Sequence, residues 1–195
     1  MSLHISISYI TIKKINKESA LEFIVLGLLM TQDLTIYQLN QAFSSGLSLI
    51  YSASYGSIQN AIKKLLMGEE IGFIETVENG RNKKIYHLMD KGRISFFQWM
   101  HADLPVSKLE MVALSKVFFL GLIVSAEEKK QILEKILIAI INMESELVEL
   151  AKTLAQLQLP EEAMKIYRYQ FKTLDYGILT HGVAREWVQQ ILDEL

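Results

Sequence analysis

Residues 55–88, YGSIQNAIKKLLMGEEIGFIETVENGRNKKIYHL, decide the fold of this chain. Over residues 55–67 the apolar side chains recur at helical spacing, which predicts a helix with one apolar face. The runs at 73–77 and 83–88 alternate and predict two strands. Asn79-Gly80 between them is a strong hairpin signal, because both residues accept the positive φ of a tight type I′ turn. The stretch therefore predicts a helix followed by a β-hairpin.

Helical segments flank this stretch on both sides. Residues 21–30 have apolar side chains at helical spacing, and Thr35 with Gln38 matches a capping box that predicts a helix from Ile36 to about Phe43. A further helix is predicted from about 90 to 100. Three helices followed by a hairpin is the order of a winged helix-turn-helix, with the third helix as the reading helix and the hairpin as the wing.

Charge and polarity favour DNA as the partner of this winged helix. Residues 1 to 100 carry 10 Lys and Arg against 8 Asp and Glu, although the whole chain has a net charge of -2. Basic wing residues neutralise phosphates, amides pair with base edges, and a glycine at a helix start lets backbone N–H groups approach a phosphate. The predicted DNA-binding residues are Tyr37, Gln38, Ser54, Tyr55, Gly56, Ser57, Gln59, Asn60, Lys63, Lys64, Asn79, Gly80, Arg81, Lys83 and Lys84.

The C-terminal half is predicted to be entirely helical. Pro105 breaks the chain within a linker at 101–107, and Ser107 and Ser125, each followed three residues later by Glu, predict helices that start near 108 and 126. Pro160 with two following acids begins the last helix. We therefore predict an N-terminal arm at 1–19, a winged helix-turn-helix domain at 20–100, the linker, and a helical domain at 108–195.

Two apolar stripes in the helical domain predict a homodimer. The first alternates spacings of three and four residues like a coiled-coil seam, and the second, on the last helix, is interrupted by His181 and Arg185. The seam could close within one chain, but the imperfect second stripe favours burial shared between two subunits. The predicted dimerisation residues are Leu133, Ile136, Ile140, Met143, Leu147, Leu150, Leu154, Leu157, Phe171, Leu174, Ile178 and Val188.

Composition argues against several other classes of protein. The chain has no Cys, which excludes disulfides and thiolate metal sites and fits a cytoplasmic location. Its 4 His are scattered, and no catalytic grouping, phosphate loop or metal spacing is present, so we expect no enzyme, no cofactor and no metal. The apolar run at 111–124 contains Lys116 and is too short to cross a membrane, and we see no secretory signal.

The chain resembles the PadR family of transcriptional regulators. The similarity lies in LEFIVLGLL (21–29), SASYGSIQNAIKKLL (52–66) and NGRNKKIYHLMDKGR (79–93), and the tail at 173–192 is similar to the branch with a long helical C-terminal domain. Glu69 stands where a helix-ending Gly is common, and Met89 where a Thr usually caps the next helix. Gln59-Asn60 replaces a frequent Tyr-Pro, so no known operator is carried over.

The resemblance implies a mainly α protein: a winged helix-turn-helix followed by an all-helical, coiled-coil-like dimerisation domain. It implies a homodimeric regulator that binds double-stranded DNA, which we expect to be a repressor. It also allows a small aromatic effector, for which Trp99, Tyr176 and Trp187 are candidate contacts, although aromatic side chains at helical spacing are more often core. We expect the N-terminal arm to pack on the dimer. The alternatives are a winged-helix module that binds protein, and an effector-sensing protein whose DNA affinity is incidental.

Overall fold

The computed structural model describes residues 20–78, 80–156 and 160–195, so the predicted N-terminal arm lies outside the described residues. The fold class is confirmed, because the described chain is mainly helical with one small antiparallel sheet. In the described part, no helix is long and apolar enough to span a bilayer. The first elements are α1 (Ala20–Leu29), β1 (Leu34–Thr35), α2 (Ile36–Ser45), α3 (Tyr55–Met67), β2 (Ile71–Glu78), β3 (Arg81–Leu88) and α4 (Asp90–His101). They are followed by a 3-10 turn (Val106–Lys108), α5 (Leu109–Phe118), a second 3-10 turn (Leu120–Leu122), α6 (Ala126–Ala155) and α7 (Glu161–Asp193).

The wing is a two-residue hairpin within a three-stranded sheet of order β1-β3-β2. Glu78 pairs with Arg81, which leaves the Asn79-Gly80 turn between them. Gly80 has φ +73, a conformation that glycine adopts without strain, whereas Asn79 lies outside the described residues. The two-residue β1, which the sequence did not predict, pairs with the middle of β3.

The predicted capping box at the start of α2 is present. The backbone N–H of Gln38 donates to the Thr35 hydroxyl at 3.3 Å, and the backbone N–H of Thr35 donates to the Gln38 side-chain oxygen at 2.9 Å. These bonds satisfy two otherwise unpaired donors at the helix start. They fix the angle at which the chain leaves β1 and enters α2.

Two caps near the wing depart from the usual residues, as the sequence indicated. At the end of α3, Glu69 has φ 56, and the backbone N–H groups of Glu69 and Glu70 donate to Leu66 and Leu65. This is a Schellman motif with Glu in the left-handed position that glycine normally occupies. Met89 at the start of α4 makes no side-chain capping bond.

The described chain divides into two compact units, and the first includes residues 114–122, which the sequence analysis placed in the helical domain. The reason is aromatic packing. The Phe119 ring contacts Phe96 edge-on, with the ring centroids 5.7 Å apart, and covers Gly27 of α1, where a Cβ would lie 2.7 Å from the ring. Phe119 therefore packs where only glycine leaves room.

Lys116 is buried in the core of this first unit, with its side chain on α5. Its ammonium donates to the backbone carbonyl of Ala102, which follows the end of α4, and lies 5.7 Å from the centre of the Trp99 ring. A cation at the carbonyl end of a helix is favourably placed. α5 begins at Leu109, one residue after the predicted start near 108, and the predicted capping residue Ser107 lies within the preceding 3-10 turn Val106–Lys108.

The second unit is built on an antiparallel hairpin of α6 and α7. Ser125 caps α6 by accepting from the backbone N–H of Glu128 at 3.2 Å, as predicted. Near the middle of the hairpin, Glu144 accepts a 2.9 Å bond from Arg185 of α7. Arg185, one of the two polar residues that interrupt the apolar stripe of α7, therefore has a hydrogen-bond partner within its own chain.

Candidate nucleic-acid interface

An open groove of about 1050 Å³ lies in the first unit, between the starts of α2 and α3 and the wing strand β3. It has amide, hydroxyl, aromatic and basic side chains on its walls. The lining residues are Thr35, Ile36, Tyr37, Gln38, Gln41, Tyr55, Gln59, Asn82, Lys83, Lys84 and Tyr86. No carboxylate is among these described lining residues, so the groove can accept a polyanion without like-charge repulsion from its own walls.

The start of α3 is prepared for close approach by a ligand. Ser54 caps the helix by accepting from the backbone N–H of Ser57 at 3.1 Å. Gly56 in the first turn is exposed, and a Cβ built there would have nothing within 4 Å. The protein itself therefore does not require glycine at this position, and its effect is to leave the backbone N–H end of α3 uncovered.

The amides of the groove differ in how freely they can turn. The Gln38 oxygen accepts from both the backbone N–H and the hydroxyl of Thr35, at 2.9 Å each, so this predicted contact also serves as a cap. Gln41 follows one turn later on α2, and Gln59 lies on α3; both are exposed. The groove thus has an exposed amide on each of two neighbouring helices.

Lys83 and Lys84, two of the predicted DNA contacts, line the groove from the wing. The Lys84 ammonium lies 3.4 Å from the Glu75 carboxylate on the adjacent strand and 4.0 Å from the centre of the Phe73 ring. The Lys84 side chain therefore lies against the wing, and the Glu75 carboxylate partly neutralises its positive charge. The predicted side-chain contact of Arg81 lies outside the described part.

Lys64 of α3 forms an ion pair with an acid on another helix. Its ammonium lies 2.6 Å from the carboxylate of Glu22 on α1, and the Glu22 side chain is only 5% exposed. Lys64 is thus engaged with the core side of its helix. Ser57, Asn60 and Lys63 lie on α3 outside the groove, where Asn60 and Lys63 are exposed.

Several groove residues were missed by reasoning from the sequence. Gln41 could have been found, because it lies three residues after the predicted Gln38 and shares its helix face. Asn82 is next to the predicted Lys83 on β3. The others, Thr35, Ile36 and Tyr86, enter through the pairing of β1 with β3, which local sequence pattern did not indicate.

The three predicted effector residues are divided between the units, Trp99 in the first and Tyr176 and Trp187 in the second. Trp99 is in the core of the first unit, where its ring is stacked on Phe23 at 5.2 Å, so it is a packing residue. Tyr176 and Trp187 both lie on α7, and the 11 positions between them correspond to about 16 Å along a helix. That separation is too long for both side chains to hold one small ring.

The predicted dimerisation residues differ in how far they are buried within the single chain. Leu133, Ile136 and Ile140 are no more than 4% exposed within the single chain, so their own chain already covers them, and a contact between subunits stays a prediction. Leu150 is half-exposed, and Leu157 lies outside the described residues. Met143, Leu147, Leu154, Phe171, Leu174 and Ile178 are half-buried, and Val188 is buried.

Comparison with known proteins identifies relatives of the chain. No family model matches it. The negative transcriptional regulator PadR of Bacillus subtilis (strain 168) is 26% identical over 183 residues, which cover 88% of this chain and 95% of that protein.

Solved structures of similar proteins align at low scores. B. subtilis PadR in complex with operator DNA gives a TM-score of 0.44 at 22% identity, covering 90% of this chain and 98% of that chain. The PadR-like regulator BC1756 from Bacillus cereus gives 0.40 at 22% identity, covering 89% and 94%. The sequence match spans most of both proteins, and by it the chain is similar to the PadR regulator of B. subtilis, in line with the resemblance carried by the motifs of α1, α3 and the wing.

Proposed function

We propose that this chain is a sequence-specific DNA-binding transcriptional regulator that acts as a homodimer and represses its target. The groove between α2, α3 and the wing carries this proposal, because it combines amides for base edges, basic side chains for phosphates and walls without carboxylates. The related B. subtilis protein is a negative transcriptional regulator, which supports the repressor role.

The wing lysines provide the direct test of DNA binding. Replacing Lys83 and Lys84 with Ala should weaken binding to all duplex sequences alike and flatten the plot of log affinity against log salt by about 1 per lost phosphate contact. The binding of fluorescent duplexes would be measured at several salt concentrations. An unchanged slope would show that the wing does not contact phosphates.

A substitution of Glu75 is the matched control, and it should change DNA affinity in the opposite direction. Because its carboxylate lies 3.4 Å from the Lys84 ammonium, Glu75→Gln should release that cation and remove a negative charge near the DNA. We expect tighter binding to every duplex. A winged-helix module that binds only protein would show no salt-dependent DNA affinity in any of these variants.

The dimer is proposed from the two apolar faces of α7. The buried Val188 lies toward α6, whereas Tyr176, Leu179 and Val183 are each 67–70% exposed. Successive residues of a helix are about 100° apart, which places this exposed group on the face opposite Val188. An exposed apolar stripe of this length is typical of a surface that a partner covers. A second subunit would also provide the second reading helix that a half-site pair needs.

A small aromatic effector is the further part of the proposal. Burial of Trp99 and separation of Tyr176 from Trp187 mean that these three residues do not define its pocket. The effector is therefore tested on the whole protein, by titrating small aromatic acids into the complex with DNA and following release of the duplex. If no such acid changes DNA affinity, regulation by this ligand class is excluded.

A further inference from the structure

The side chains in the groove have a chemical bias that bears on which base pairs they can recognise. Four of the described lining residues are amides: Gln38, Gln41, Gln59 and Asn82. An amide of Gln or Asn pairs bidentately with N6 and N7 of adenine, whereas guanine is usually read by Arg or Lys and cytosine by a carboxylate. The two lining lysines belong to the wing strand β3 and not to α2 or α3.

The amides are not equivalent, and the hydrogen bonds identify the readers. Gln38 uses its oxygen to cap α2, and Asn82 lies on the wing. Gln59 lies in the second turn of the reading helix, and Gln41 lines the same groove from α2. Gln59 and Gln41 are therefore both exposed, and they lie on adjoining helices. Among the described hydrogen bonds, neither side-chain amide serves as a donor or an acceptor.

Apolar surface in the same groove suits the other base of the pair. The Tyr55 ring is 49% exposed and lies one turn before Gln59 on α3, and Ile36 lines the groove near it. In the major groove, only thymine presents a methyl group, and apolar side chains contact it. An adenine contact and a methyl contact in one groove select an A·T base pair.

We propose that this groove selects half-sites with A·T base pairs at the positions facing the start of α3, with Gln59 and Gln41 reading adenine and Tyr55 contacting the thymine methyl group. This inference rests on the proposed DNA-binding function and adds the class of sequence to it. The proposed phosphate contacts of the wing supply affinity without sequence preference, so the two contributions can be measured separately.

The test is selection of bound fragments from a random duplex pool by the full-length protein and by Gln59→Glu. The wild-type protein should enrich A·T pairs at a fixed position in each half-site. The variant should prefer cytosine there, because a carboxylate accepts from N4 of that base. Asn60→Asp, which makes the same charge change at the exposed neighbour outside the groove, should weaken binding without changing the preferred base.

Modified duplexes test the atoms directly. Replacing the selected adenine with 7-deazaadenine removes the N7 acceptor, and so one of the two hydrogen bonds, and should weaken wild-type binding by about 2- to 13-fold. Replacing the paired thymine with uracil removes one methyl group and should weaken wild-type binding by about 4-fold. The Gln59→Ala variant should be insensitive to the deaza base at the adenine that Gln59 reads.

The outcomes separate this inference from the proposed function. Retention of DNA with enrichment of G·C pairs, or an unchanged preference in Gln59→Glu, would overturn the A·T assignment and leave DNA binding intact. Failure of the wild-type protein to retain any duplex would overturn both.

Discussion

The Lys64 ammonium on the reading helix lies 2.6 Å from the Glu22 carboxylate on α1, and that carboxylate is almost completely buried. A buried carboxylate is stabilised only if it has a partner, so this ion pair ties α3 to α1.

Removal of the cation should therefore destabilise the first unit. Lys64→Met removes the cation that lies 2.6 Å from the buried Glu22 carboxylate, and we expect a loss of about 1–3 kcal/mol in the free energy of unfolding. The double variant Glu22→Gln with Lys64→Met should recover most of it. Lys63→Met, at the exposed neighbouring lysine, is the matched control and should leave urea unfolding unchanged. Equal stability of all variants would show that the pair is dispensable.

Because of Tyr51, we expect the folded protein to lose stability at alkaline pH. Burial raises the pKa of the Tyr51 phenol above its ordinary value of 10.0, and the negative charge of Glu22 raises it further. The folded protein therefore holds this proton more tightly than the unfolded chain. The resulting stability is fully present below about pH 10 and is lost as pH rises through the folded pKa.

The measurement compares urea unfolding of the wild type and Tyr51→Phe at increasing pH. Because Phe cannot ionise, the wild type should lose stability relative to the variant above about pH 10. Tyr37→Phe changes an exposed tyrosine and is the control. A constant difference between wild type and Tyr51→Phe across this range would contradict the assignment.

Glu69 offers a stabilising substitution at the end of α3. A residue with a Cβ in the left-handed conformation is strained, so Glu69→Gly should raise the free energy of unfolding by about 0.5–1 kcal/mol, net of the added freedom of the unfolded chain. Glu69→Ala retains the Cβ and should give no such gain. Thermal unfolding of the three proteins would decide, and equal gains for Gly and Ala would mean that the Glu side chain, not the backbone, is unfavourable.

Met89 offers a second stabilising substitution, at the start of α4. A Thr hydroxyl can accept from a free backbone N–H of the first turn, which Met cannot, so Met89→Thr should stabilise the protein by about 1 kcal/mol. Met89→Ala supplies no acceptor and serves as the control. No difference between Thr and Ala in the urea midpoint would show that the helix start is already satisfied by solvent.

The exposed face of α7 predicts how the dimer can be broken. Leu179→Glu with Val183→Glu should give folded monomers, because two carboxylates cannot be buried in an apolar interface without partners. Gln170→Glu with Gln189→Glu adds the same charge to α7 away from that face and should remain dimeric. Sedimentation would measure the mass of each. If the wild-type protein sediments as a monomer, the proposed dimer is wrong. If the Leu179→Glu/Val183→Glu variant is still a dimer, the interface lies on another surface.

Local sequence patterns were sufficient for most elements of the winged helix. The spacing of Ile58, Ala61, Ile62 and Leu65 predicted α3 with the bounds that the structure has. The Asn79-Gly80 signal predicted the hairpin, and Thr35 with Gln38 predicted the start of α2. Each of these signals depends on residues within one turn or one loop, and for that reason it can be read from the chain directly.

Contacts between distant residues required the tertiary structure. The sequence determined that Lys64 is polar and on the outer half of α3, but only packing of α1 beside it supplied the Glu22 carboxylate, 42 positions earlier in the chain. Likewise, the seam of α6 was recognised as apolar from its spacing, while the fold decided that Leu133, Ile136 and Ile140 are covered within the chain and that Leu179 and Val183 are not. Periodicity gives the face of a helix but not the element that packs on it, because the same apolar stripe can be buried equally well by its own chain or by a partner.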